Sequence, residues 1–307
     1  MLIIGENIHI IAPRVKQAIQ ERDTKAIQKM ALEQWQAGAR VIDLNIGPQK
    51  KQGVEIMEWA VDAVQEAIPD VTISLDTTNL EAIEAGLKRC KKPAFINSTS
   101  AEEERLSSLP PLAAKYNANL IALTMTKAGI PVSAEERVRI ALEILIPRIT
   151  EAGLPIEKIY LDPLVLTVAG TQEYVPECIE AVRFLKFASD PPPMTVVGLS
   201  NVSNSVSKEN RSLINRTYLV MLMAAGLDAA IADPLDHAQN EVIRIVTERD
   251  ESTPVGRLYL ALYDAVLAGE ELSPDAVDMT DPEQVAIWKT VQILLNKVIF
   301  ADSYLRM

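Results

Sequence analysis

Short apolar runs rich in Ile, Val and Leu recur along the chain, and most are followed by a segment whose apolar residues return every three or four positions. The runs are Leu2 to Ile4, Arg40 to Leu44, Val71 to Leu75, Ala94 to Ile96, Asn119 to Leu123, Lys158 to Leu161, Thr195 to Leu199 and Asp228 to Ala232. Their length and β-branched content predict strands. Between them, Val54, Met57, Val61, Val64 and Ile68 form one helical stripe, and Val138, Ala141, Leu142, Leu145 and Ile149 another. Ser133 with Glu136 opens the second as a capping box and Gly153 closes it. Leu80, Ile83 and Leu87 mark a further helix, as do Val175, Ile179 and Val182, while Gly38 and Gly226 stand where helices should stop.

About eight strand-helix units are what a closed (β/α)8 TIM barrel requires. An open doubly wound sheet shares the alternation, but neither G-x-G-x-x-G nor G-x-x-x-x-G-K-[ST] is present, so the barrel is favoured. Ser189-Asp190-Pro191-Pro192-Pro193 reads as a stiff surface link. Beyond about Glu248 the alternation stops. Pro254 to Leu267 and Pro282 to Ile299 read as two helices with no strand to follow. The expected organisation is a barrel over 1–248 and a C-terminal helical extension over 249–307, packed on the barrel or used in self-association.

Composition narrows this picture. With 307 residues, 48% of them apolar, the chain can bury one large core. The net charge is -12 and Lys88-Arg89-Cys90-Lys91-Lys92 is the one local basic cluster, which argues against a nucleic-acid footprint. Cys90 and Cys178 lie far apart without C-x-x-C spacing and read as reduced thiols. Met1 to Glu6 has no basic n-region, and the apolar stretch Tyr218 to Ala232 is broken by Gly226 and Asp228. A cytoplasmic protein that does not enter the membrane is expected.

The candidate chemistry lies just after the apolar runs. Ile159-Tyr160-Leu161 ends in Asp162 and Pro163, Ile73-Ser74-Leu75 in Asp76 and Thr77, and Val196-Val197-Gly198-Leu199 in Ser200 and Asn201. The full series is Glu6 and Asn7, Asn45, Asp76 and Thr77, Asn97 and Ser98, Thr124 and Thr126, Asp162, Ser200 and Asn201, then Asp233. In parallel α/β folds the strand ends form the active site. No Lys or Arg stands immediately at these ends, and His9 is the nearest histidine. Such a rim suits a flat, nitrogen-rich heterocycle whose N–H groups want carboxylate and amide oxygens. Each residue alone has a plainer explanation as a turn former or helix cap. Asp76 could cap the helix at Leu80, and Asn201 could sit in an ordinary polar loop. Asp162 is harder to explain so, because Pro163-Leu164-Val165-Leu166 continues apolar.

Other schemes fit less well. His9 and His237 are the only histidines, too few for a His-rich metal centre, and no metal site is expected. His237 with Asp233 and Asp236 reads better as a loop leading into a helix with capping acids. G-x-S-x-G is missing, and Lys127 begins a loop instead of ending a strand.

The chain resembles the methyltetrahydrofolate:corrinoid protein methyltransferases, pterin-binding barrels related to the folate domain of cobalamin-dependent methionine synthase and to dihydropteroate synthase. The resemblance is carried by Gly5-Glu6-Asn7-Ile8, Val41-Ile42-Asp43-Leu44-Asn45, Ser74-Leu75-Asp76-Thr77, Phe95-Ile96-Asn97-Ser98, Leu161-Asp162-Pro163 and Gly198-Leu199-Ser200-Asn201-Val202-Ser203. It implies that Asp76, Asn97 and Asp162 hold a pterin ring, with Glu6 among the binding residues, and that Asn201 hydrogen-bonds N5, which carries the methyl group. Gly198 and Ser200 would shape the same wall, and Asn204 and Arg211 would reach farther along the folate or corrinoid. It further implies tetrahydrofolate or 5-methyltetrahydrofolate as substrate, a corrinoid (cobalamin) carried by a partner protein, and a homodimer. Catalysis would fall to Asn201, Asp76 and Asp162, and either direction of transfer would use the same site. Dihydropteroate synthases share Asp76 and Asn97 but usually carry a basic Arg-x-His near the last strand, where this chain has Asp233-Pro234. A non-catalytic folate-binding subunit is the remaining alternative.

Overall fold

The computed structural model describes residues 1–49 and 51–305. Its strands are β1 (Leu2–His9), β2 (Val41–Asn45), β3 (Thr72–Asp76), β4 (Phe95–Ser100), β5 (Asn119–Leu123), β6 (Ile159–Asp162), β7 (Met194–Gly198) and β8 (Ala229–Ala232). All pair in parallel, each with its sequence neighbour, and β8 returns to β1, so the sheet closes into a barrel. This is the TIM barrel the alternation predicts.

The helices are α1 (Pro13–Glu21), α2 (Thr24–Gln36), α3 (Gly53–Ala67), α4 (Leu80–Arg89), α5 (Glu103–Lys115), α6 (Ala134–Ile140), α7 (Ile146–Glu151), α8 (Val168–Thr171), α9 (Tyr174–Leu185), α10 (Lys208–Ala224), α11 (His237–Glu248), α12 (Pro254–Leu267), α13 (Pro282–Leu294) and α14 (Asp302–Leu305). The three–four stripe of α3 is buried as expected at Met57, Val61 and Val64. Gly38 (φ +111°) and Gly226 (φ +102°) end their helices in the left-handed region that glycine adopts without a steric cost.

Two strands run longer than their apolar cores. Each contains a register shift, between Gly5 and Ile8 in β1 and between Asn97 and Thr99 in β4. Glu6, Asn7, Asn97 and Ser98 therefore lie inside strands, at bulges that re-aim their side chains. The stripe from Val138 to Ile149 is also not one regular helix. A π turn over Ala141–Leu145 separates α6 from α7, and Leu142 is turned out to solvent at 41% exposure. Pro147 gives the reason: it has no N–H to return to residue 143 and its ring crowds that carbonyl, so the turn widens ahead of it.

The barrel interior is plugged by Ile4, Val41, Phe95, Ile121, Tyr160, Val196 and Ala229, with the Phe95 and Tyr160 rings edge to face at 4.8 Å between centroids. Side chains two positions apart share a sheet face. Asp43 follows Val41, Asn97 follows Phe95 and Asp162 follows Tyr160, so on β2, β4 and β6 the layer above the plug is polar, while Leu123 and Ile231 keep it apolar on β5 and β8. Outside, Leu258, Tyr259 and Leu262 of α12 and Ile287 and Val291 of α13 join the same apolar core as the barrel helices, packed against α10 and α11. The expected helix to Ile299 ends instead at Leu294, and Asn296 then takes φ +57°.

Candidate active site

Register brings Asn45, Asp76 and Asn97 abreast on β2, β3 and β4. Asn45 Nδ2 donates to Asp76 Oδ2 at 2.5 Å. One step deeper, Ser74 Oγ (2.5 Å) and Asn97 Nδ2 (3.2 Å) both donate to Asp43 Oδ1, and a further hydrogen bond joins Asp43 to Asp76. Burial, followed by the charge of Asp76, holds the Asp43 carboxyl well above the usual carboxylate range. Burial raises Asp76 to about 6, opposed by the Asn45 and Asp43 hydrogen bonds. Asp43 thus keeps the proton of the pair and Asp76 carries the charge outward. The cap of α4 is Asn79, so Asp76 does not serve as a helix cap.

A second group spans β1, β7 and β8. Ser200 Oγ donates to Glu6 Oε1 at 2.5 Å, and Asn7 Nδ2 to Asp233 Oδ1 at 2.8 Å. Glu6 is pushed up by burial, partly offset by Ser200. Asn201 lies in the 3₁₀ turn Leu199–Ser203, with Oδ1 accepting from Asn204 Nδ2 at 3.1 Å. A Cβ on Gly198 would stand 2.9 Å from Asn201 Nδ2, so only glycine lets the amide fold back over the strand end. Asn204 and Arg211 are exposed, and Arg211 Nε donates to Val206 O at 2.8 Å, which keeps it on the flank of this loop.

Asp162 stands apart on β6. Its Oδ1 accepts the Leu164 N–H at 2.7 Å, so the turn-former explanation accounts for one oxygen and leaves the other. Burial lifts it to about 7, against the pull of the Leu164 N–H and of Arg137.

The strand ends carry no cation, but two arginines arrive from helices. Arg105 of α5 donates to Ser98 O and to Thr78 O (3.3 Å) and sends its charge toward Asp76. It lines a cleft of about 390 Å³ with Thr78, Ser98, Leu123 and Met125, beside Asn97. Arg137 of α6 lies fully buried behind Asp162. Neither is legible at a strand end, because each belongs to the following helix. Asp43 carries a faint signal, an acid in the middle of an apolar strand. Among the described residues no group of three or more His, Cys, Asp or Glu could hold a metal ion, and no helix is long and apolar enough to cross a membrane.

A closed parallel barrel with acids and amides gathered at the C-terminal ends of its strands, the face where barrels of this kind place their active sites, defines the chain as a TIM-barrel protein. Residues 13–233 match the pterin binding enzyme family, and the chain belongs to it. Methylcorrinoid:tetrahydrofolate methyltransferase from Eubacterium limosum is 31% identical over 244 residues, 76% of this chain and 85% of that protein. Methionine synthase from Mycobacterium leprae (strain TN) is 29% identical over 75% of this chain, which amounts to 20% of that much longer protein. Two crystal structures of dihydropteroate synthase share the fold. The one from Thermus thermophilus in complex with 6HMPPP has a TM-score of 0.58 and 18% identity, covering 80% of this chain and 93% of its own. The one from Anaplasma phagocytophilum has a TM-score of 0.60 and 19% identity, covering 81% and 99%.

Proposed function

We propose that this protein is a methyltransferase that moves a methyl group between N5 of tetrahydrofolate and the cobalt of a corrinoid carried by a partner protein. The observation that carries the reading is the hydrogen-bonded chain Asn45–Asp76–Asp43–Asn97, with Asp162 on the far strand β6, in a protein matched over most of its length by a methylcorrinoid:tetrahydrofolate methyltransferase. The site fits a pterin chemically. Asp76 and Asp162 offer acceptors to ring N–H groups, Asn97 offers an amide, and the raised carboxyls are stabilised in their charged form when those donors arrive.

A methyl group leaves a tertiary amine readily only if N5 gains positive character, through a proton or a strong hydrogen bond. The Asn201 amide, seated over Gly198, can donate to neutral N5 or accept from its protonated form. Cobalt(I) of the partner's corrinoid supplies the nucleophile, so the chain itself needs no reactive Cys, Ser or Lys. Burial pushes both cysteine thiols up to about 12, which agrees with their having no such role.

Purified protein mixed with methyltetrahydrofolate and reduced cob(I)alamin or a corrinoid protein should change the cobalt absorption spectrum to that of the methylated form. Folate binding without that change would make the chain a non-catalytic folate-binding subunit. Formation of dihydropteroate from a dihydropterin pyrophosphate and p-aminobenzoate, with release of pyrophosphate, would make it a dihydropteroate synthase.

A further inference from the structure

Arg137 is fully buried, and its guanidinium is engaged by main-chain carbonyls from separate segments. Nε donates to Pro131 O at 3.0 Å, Nη1 to Leu164 O at 3.4 Å and Nη2 to Tyr174 O at 3.4 Å, with the Tyr174 ring 5.8 Å away. These carbonyls belong to the loop before α6, the loop after β6 and the start of α9. The middle one matters most. Leu164 has φ +69°, a left-handed conformation that costs a non-glycine residue about 1 kcal/mol and persists only where its surroundings enforce it. In that conformation its N–H reaches Asp162 Oδ1. Arg137 holds the carbonyl of the residue whose N–H orients Asp162.

We propose that Arg137 is a positioning residue for the pterin site, pinning the Leu164 turn so that Asp162 keeps Oδ1 engaged and Oδ2 for the ligand. The proposal rests on the reading of Asp162 as a pterin ligand. Around Asp162 the other groups are neutral: the Cys178 thiol of α9, with the Tyr218 hydroxyl of α10 beside it, both driven up by burial, and the uncharged Thr124 just after β5. Arg137 is then the charge that faces the carboxylate from the protein side, and it favours the ionised form.

The test uses protein carrying ¹³C-labelled aspartate carboxyls, with the Asp162 signal assigned by its loss in Asp162→Asn. In the free protein, Arg137→Met should move the Asp162 midpoint upward by about one pH unit or more. Arg137→Lys, which keeps the charge but loses the planar fork, should move it less. Tetrahydrofolate affinity at pH 7.5 should fall about tenfold in Arg137→Met and recover as pH rises and Asp162 ionises. Leu164→Gly, which adopts the turn without strain, should shrink the Arg137→Lys effect on affinity. If Arg137→Met does not fold, Arg137→Lys alone and in the Leu164→Gly background carries the same readout. An Asp162 midpoint and a tetrahydrofolate Kd both unchanged in the folded variants would reduce Arg137 to a packing residue and overturn the proposal. Wild-type protein that binds no tetrahydrofolate would overturn the function and not the Arg137–Asp162 coupling, which is read without ligand.

Discussion

The carboxyl groups of the mouth hold protons that the unfolded chain would have released. Asp162 at about 7 and Asp76 at about 6 lie above the ordinary aspartate value near 3.9. Between about pH 4 and 7 the folded state therefore binds more protons than the unfolded one, and stability falls as pH rises through that window. At roughly 1.4 kcal/mol per unit of difference the Asp162 share of that penalty at about pH 8 is on the order of 4 kcal/mol. Asp162→Asn should accordingly melt higher than wild type at about pH 8 and equally at about pH 4 in thermal scans, while losing tetrahydrofolate affinity. Equal melting at the higher pH would mean that burial does not lift Asp162 above its unfolded value. Asn201→Ala should slow methyl transfer by about 10²-fold or more with little change in folate affinity, and single-turnover spectra of the cobalt centre would measure both. An unchanged rate would remove Asn201 from the chemistry.

At the level of elements, close approach depends on glycine at one position in particular. A Cβ on Gly86 of α4 would stand 2.8 Å from Leu75 Cδ2 and 2.9 Å from Met57 Cγ, so α4 is seated tightly on β3 and α3. Gly86→Ala gains about 1 kcal/mol in helix propensity but overpacks a core of this density by about 1–3 kcal/mol. A net loss, seen as a lower urea midpoint, is expected; a gain would show that Leu75 and Met57 yield freely. Because β3 carries Asp76, the same substitution should weaken folate binding more than an equally destabilising change in α12. The π turn ahead of Pro147 shows the converse, where a single residue overrides a helical stripe that the spacing makes look continuous.

Across the whole molecule, the segment after α13 returns to the mouth of the barrel. Gln172, buried behind the β6 loop, donates to Ile293 O and Val298 O at 2.7 Å and accepts the Phe300 N–H at 2.8 Å. Asp302 Oδ1 accepts from Ser207 N at 3.1 Å and from Asn210 Nδ2 at 2.9 Å, at the entrance of α10 and a few residues past Asn201. Asp302→Ala should cost about 1 kcal/mol there and speed amide exchange at Ser207 to Arg211, read by hydrogen-exchange mass spectrometry. Unchanged exchange would show that the tail lies on the loop without holding it.

Local pattern by itself determined the strands and most of the helices between them, because burial on a barrel repeats with the periods of strand and helix. It also marked Asp76, Asn97, Asp162 and Asn201, since a polar residue closing an apolar strand has no packing reason to be there. What only the tertiary structure decided was which of these share bonds and protons. The Asp43–Asp76 pair, the Ser200–Glu6 link between residues far apart in sequence and the arrival of Arg105 and Arg137 from helices depend on register and barrel closure. These are relations between strands, and no stretch of one strand encodes them alone.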